Sequence, residues 1–153
     1  MLLAVAFATE EGYNYHRKFP RVLGMDTNNG TNNEKRGLAK IVGKTNCNKN
    51  IPIMEIIIPS EQTWVFQHII SAFLPTLLDV DALHKTSIIL TDQCDEEMNA
   101  VCHEILKEDS GVFNANTSIR ICKWHKVIPV ATISSTSCSI TLSYFDIILA
   151  HAG

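Results

Sequence analysis

Neither a surplus of positive charge nor a regular cysteine framework appears in this 153-residue sequence. Thirteen Lys and Arg stand against sixteen Asp and Glu, leaving a formal net charge of −3 and a pI near 6.0. The surface as a whole therefore offers no strong positive field to a phosphate backbone, and nucleic-acid binding would need a local basic strip or metal ions. The five cysteines, Cys47, Cys94, Cys102, Cys122 and Cys138, are odd in number and form no CxxC pair. That argues against a disulfide scaffold and for a reducing compartment. No apolar run reaches the roughly twenty residues of a membrane span, so no membrane partner is expected. The opening MLLAVAFA has no basic residue ahead of it and meets Glu10 and Glu11 at once, so it reads as a strand rather than a signal peptide. What is present is material for a core. A hydrophobic content of 46% with 19% charged residues suits one α/β-sized domain.

Along the chain, strand-like and helix-like stretches alternate. Val22 to Met25 is a short apolar run ending at Asp26, before an Asn- and Gly-rich loop. Leu38 to Thr45 and Ile51 to Ile58 are rich in β-branched residues and separated by NCNKN, a hairpin signature. Ser60 reads as a helix cap with Glu61 in the first turn. The helix that follows is apolar on most faces, places Trp64 in the core, and should bend or end at Pro75. Thr86 to Leu90 has the continuous apolar run of a strand covered on both faces. Beyond Asp92, Met98, Val101, Cys102, Ile105 and Leu106 form one helical stripe, with Glu97, Asn99 and Glu104 opposite. SIRICKWHK supplies another strand. The order implies a mixed β-sheet with helices on its faces.

Two aspartates fall where such sheets place ligands. Asp92, between strand and helix, is suited to accepting the first free helical N–H groups. Asp26, before an Asn/Gly loop, is suited to an Asx-turn. As a pair at the ends of two strands they carry a second meaning, because adjacent carboxylates repel unless a cation or shared proton compensates. Two hard oxygen donors on rigid strand ends suit Mg²⁺. Cys122 and His125 are zinc-type ligands, but no second pair at chelating spacing accompanies them. Lys35, Arg36, Lys40, Lys44 and Lys49 form the densest basic stretch, read either as a solvated hairpin face or as a phosphate contact.

Four stretches occur together in order: VLGMDTNNGTN, IPSEQTWVFQHII, IILTDQCDEEMNAV and RICKWHKV. In that order and spacing, from about Val5 to Val127, they resemble Mutator-like element (MULE) transposase domains. The resemblance implies an RNase H-like α/β fold, with two adjacent parallel strands carrying the first two acids of a DDE set. It also implies DNA strand cleavage and transfer assisted by Mg²⁺ or Mn²⁺, transposon-end DNA as partner, and work in the nucleus. Asp26 matches the first acid and Asp92 the second, both as metal ligands. Thr31 and Asn32 match the Thr-Asn after the first strand, and Cys122, Trp124 and His125 match C-x-W-H.

Departures accompany the matches. Asn28 stands where the family pattern has Thr. The residues after His125 contain no Glu to serve as third acid, Asp146 being the only acid there. The expected organisation is thus a MULE-type domain over 1–127, incomplete at its C-terminal side, and a divergent tail over 128–153. Two functions follow from it: a catalytically incomplete transposase fragment, or a non-catalytic domesticated module that binds DNA or protein. An unrelated α/β domain with two capping aspartates is the third reading.

Overall fold

A computed structural model describes residues 4–28, 36–92, 94–107, 111–114 and 116–122. Thr31, Asn32, Trp124, His125, Asp146 and the tail 128–153 lie outside these residues.

The opening apolar run forms β1 (Val5–Ala8) and is followed by α1 (Glu10–Lys18), a helix absent from the expected order. Its signals are local. Thr9 accepts a hydrogen bond from the Gly12 N–H at 3.0 Å, Glu10 and Glu11 occupy the first turn, and His16, Arg17 and Lys18 the last, each favourable to the helix dipole. Gly12 is required by packing: a Cβ there would lie 2.5 Å from the Ile53 carbonyl oxygen, so α1 rests directly on a strand backbone.

β2 (Val22–Asn28), β3 (Gly37–Lys44) and β4 (Asn50–Ile58) follow. The β3–β4 turn puts Asn48 at φ 63°, a left-handed conformation that Asn tolerates. β5 (Ile88–Thr91) and β6 (Ser118–Ile121) complete a six-stranded sheet in the order β1-β4-β3-β2-β5-β6. β1, β4, β3 and β2 pair antiparallel, whereas β2, β5 and β6 run parallel. The architecture is a mixed α/β sheet, the class of RNase H-like folds.

One face of the sheet carries the core. Leu23, Met25, Ala39, Ile41, Ile56, Ile58, Ile89 and Ile119 are buried there beneath α2 (Thr63–His68) and α5 (Asp95–Leu106). A register shift at Ile41/Val42 adds a residue to β4, and both Ile53 and Met54 are buried beside it. The opposite face is less buried among the described residues. Val5 and Phe7 are 37% and 46% exposed, and Lys40, Val42 and Lys44 alternate along β3 as half-buried residues. Likewise β5 alternates, with Ile88 and Leu90 half-buried and Ile89 and Thr91 buried. The continuous apolar run is therefore fully buried on one face and half-buried on the other.

The long apolar helix is segmented. α2 is capped by the backbone at Gln62, with no side-chain cap, so Ser60 does not have the role its sequence position suggests. The next five residues, Ile69–Phe73, form a π-turn in which the Leu74 N–H reaches back to Ile69 O. Pro75 then sits near the start of α3 (Leu74–Leu77). The widened turn accommodates a residue with no N–H to donate, so the chain bends instead of stopping. Trp64 is 50% exposed and donates its indole N–H to Gln62 Oε1 at 2.6 Å; it is a surface residue, not a core one. α4 (Val80–Leu83), capped by Asp79, leads into β5. No helix among the described residues is long and apolar enough to cross a membrane.

Candidate active site

Asp26 lies inside β2, with Lys40 of β3 opposite it, and not in a turn. Gly24 pairs with Leu90 across the parallel β2–β5 ladder. Asp26 and Asp92 each lie two residues beyond that last pair, on two neighbouring parallel strands. Thr91 pairs with Ile121 on β6, and the Cys122 N–H donates to Thr91 O at 2.7 Å. Three adjacent parallel strand ends therefore present Asp26, Asp92 and Cys122 in one row.

Asp92 does not cap the helix. Its Oδ1 accepts the Cys94 N–H at 3.0 Å, an Asx-turn, while Cys94 occupies the cap position and α5 begins at Asp95. The turn orients the carboxylate at the end of β5. The neighbouring Cys94 thiol is pushed up to about 11, chiefly by burial, and stays protonated at neutral pH.

The largest difference from the sequence reading concerns Glu97. It belongs to the face expected to meet solvent, yet it is 0% exposed, and Glu104 is 4% exposed. The buried stripe of α5 is Glu97, Met98, Ala100, Val101 and Glu104, rotated from the stripe drawn through Cys102 and Ile105. Ala100 was the missed signal. As a small residue at the centre of a packed face, it places positions 97, 101 and 104 beside it at helical spacing. Neither Glu97 oxygen has a hydrogen-bond partner among the described residues. Burial pushes its carboxyl up to about 9, reinforced by the carboxylates of Asp92, Asp26 and Glu61. The Asp92 main-chain N–H opposes that shift without meeting hydrogen-bond geometry. Glu61 thus does more than precede a helix: four acids share one region.

That region has the hard oxygen donors that Mg²⁺ and Mn²⁺ prefer. Asp26 and Asp92 fit a site in which one or two carboxylates hold the ion and water completes its shell. No three His, Cys, Asp or Glu side chains among the described residues converge closely enough to hold a metal by themselves.

The sequence matches the MULE transposase domain family over residues 22–128, more than half of the chain. The chain belongs to that family. No curated protein and no solved structure shows significant similarity to it. The matched span opens at Val22, the first residue of β2. Within the domain lie both aspartates, Glu61, Glu97 and the C-x-W-H segment. Membership gives the chain a function related to transposition and DNA recombination, in a family that generally binds DNA and uses divalent metals.

Proposed function

We propose that this MULE transposase domain handles DNA through a metal-assisted phosphoryl-transfer site of DDE type, with Asp26 and Asp92 as its first two acids. The observation that carries the reading is the pairing of β2 with β5, which sets two carboxylates on neighbouring parallel strands. A divalent cation, Mg²⁺ or Mn²⁺, would supply charge stabilisation for the attacking and leaving oxygens of a phosphodiester. The protein's part is positional. Asp26 is held by its pairing with Lys40 on β3, and Asp92 by its Asx-turn. Cys122 lies next in the row, and the motif partners Thr31, Asn32, Trp124 and His125 belong to the same reading by family pattern. Acting on transposon-end DNA, the protein would work in the nucleus.

A second reading is a non-catalytic domesticated module that retains the fold to bind DNA or protein. Its support is that no three His, Cys, Asp or Glu side chains among the described residues group closely enough to hold a metal. Calorimetric titration with Mn²⁺, paired with nicking of labelled DNA, separates the readings. Asp26→Asn and Asp92→Asn should each weaken Mn²⁺ uptake on the order of tenfold or more. Uptake with nicking supports the enzyme, and uptake without nicking the module. Indifference of Mn²⁺ binding to both substitutions sinks the metal site.

A further inference from the structure

The half-buried face of the sheet holds a second chemical region, basic where the first is acidic and adjoining it at Cys122. A cavity of about 900 Å³ lies over the start of β2, the first residues of β5, the C-terminal end of β3 and the last residues of β6, where it reaches Cys122. Five of the thirteen Lys and Arg residues line it, Lys18, Arg21, Lys44, Lys85 and Arg120, and no Asp or Glu does among the described residues. In a chain of net charge −3, that is a local reversal of sign. Its location is not an accident of floppy side chains. The strand starts are stitched together: the Ser87 and Ile88 N–H groups donate to Arg21 O, Thr86 Oγ1 to Pro20 O at 3.0 Å, and Thr117 Oγ1 to Thr86 O at 2.7 Å.

Lys44 is the decisive residue. The chain alternates faces every residue along β3, so Lys44 shares the half-buried side with Val42 and Lys40. Its ammonium nitrogen is withdrawn from solvent and has no hydrogen-bond partner among the described residues. A buried cation without a partner is costly, and burial holds its pKa below the ordinary lysine value, with Cys122 working the other way. An anion entering the cavity would supply the missing acceptor, with the exposed Lys18, Arg21 and Lys85 at the rim. The volume exceeds what a single phosphate needs and falls in the range of nucleotide-sized ligands. Asn46 and Asn48 add neutral donors and acceptors suited to a sugar or base edge.

We propose that this cavity binds the phosphate of a nucleotide, either free or within a nucleic-acid strand, through Lys44 on its floor and the basic rim. The site lies on the sheet face that also carries Asp26, four residues along the ladder and so about 13 Å away. A strand of a few nucleotides would span both. The inference does not require a metal, and its test is run without one.

With the full chain in low salt and EDTA, two probes separate the sources: a labelled single-stranded oligodeoxynucleotide of about twelve residues, followed by anisotropy, and thymidine monophosphate, followed by calorimetry. Binding of the strand alone assigns the cavity to nucleic acid; binding of the mononucleotide assigns it to a free ligand. In either case Lys44→Met should weaken binding roughly tenfold or more, as for a lost charge-assisted hydrogen bond, and inorganic phosphate should compete. If Lys44→Met fails to fold, Arg21→Gln/Lys85→Gln at exposed positions decides, with a loss of the same sign. Lys49→Gln, exposed and outside the cavity, should bind as the native chain does. The proposal is overturned if neither probe binds, if the cavity variants bind normally, or if Lys49→Gln is as damaging as they are. Both probes are read in EDTA, so failure of Mn²⁺ uptake would defeat the acid-pair reading without touching this one.

Discussion

Glu97 and His16 are both buried ionisable side chains, with opposite consequences. His16, on α1, is 0% exposed, and neither ring nitrogen has a partner among the described residues. Burial pulls its pKa down to about 4, against the carboxylate of Asp79. The fold therefore favours neutral His16, and stability is lost as pH falls from 6.5 toward 4, where the unfolded chain takes up a proton that the native one refuses. Replacing His16 with Gln should remove that acid-side loss, by up to about 1.4 kcal/mol per pH unit; urea midpoints on either side of this window check it. Glu97 has the reverse sign. With its carboxyl at about 9 instead of 4.5, the native state keeps a proton that the unfolded chain releases, and stability falls as pH rises between those values. Glu97→Gln should be nearly neutral at mildly acid pH and stabilising on the order of 2–4 kcal/mol above pH 8. A variant less stable than the parent at both pH values would mean that Glu97 has a polar partner and is not held by burial.

At the scale of elements, α1 tests how closely packing was fixed by a single residue. Gly12→Ala improves helix propensity by about 1 kcal/mol, yet its Cβ would press on the Ile53 carbonyl. Moving a strand backbone costs more than the propensity gain, so a net loss of about 1–2 kcal/mol is expected in chemical denaturation. Thr9→Ala should cost about 1 kcal/mol through the lost cap. The helix itself was legible in TEEGYNYHRK, with its cap, acidic first turn and basic last turn, although apolar periodicity did not reveal it. α5 failed in the other way. Its existence was legible, but its buried side was not, because Glu97 looks like an ordinary first-turn acid. Only the packing of Ala100 and Val101 against the rest of the core turned that glutamate inward.

For the whole molecule, the two buried groups combine into one pH profile. Between about 4.5 and 6.5 their slopes oppose and largely cancel, while between 6.5 and 9 Glu97 acts alone. Their joint effect is a plateau in mildly acid solution with a decline toward alkaline pH, readable as thermal midpoints across a pH series. Glu97→Gln should flatten the alkaline limb and turn the plateau into a rise up to about pH 6.5, His16 then acting unopposed. The sheet also divides chemistry by position: carboxylates gather where β2 and β5 end, and cations gather where they begin.

The sequence by itself determined the strands, the mixed α/β class and the family, because alternation, turn residues and short motifs are local properties of the chain. Asp26 and Asp92 are separated by sixty-six positions, and each is announced only by its own apolar neighbours. Tertiary structure alone decided what depends on distant surfaces meeting. It set the parallel pairing of the two strands that carry those aspartates and buried Glu97 within electrostatic reach of both. It withdrew Lys44 from water at the floor of a basic cavity. Each of those outcomes is a matter of desolvation and charge proximity, and neither quantity exists until separate elements pack.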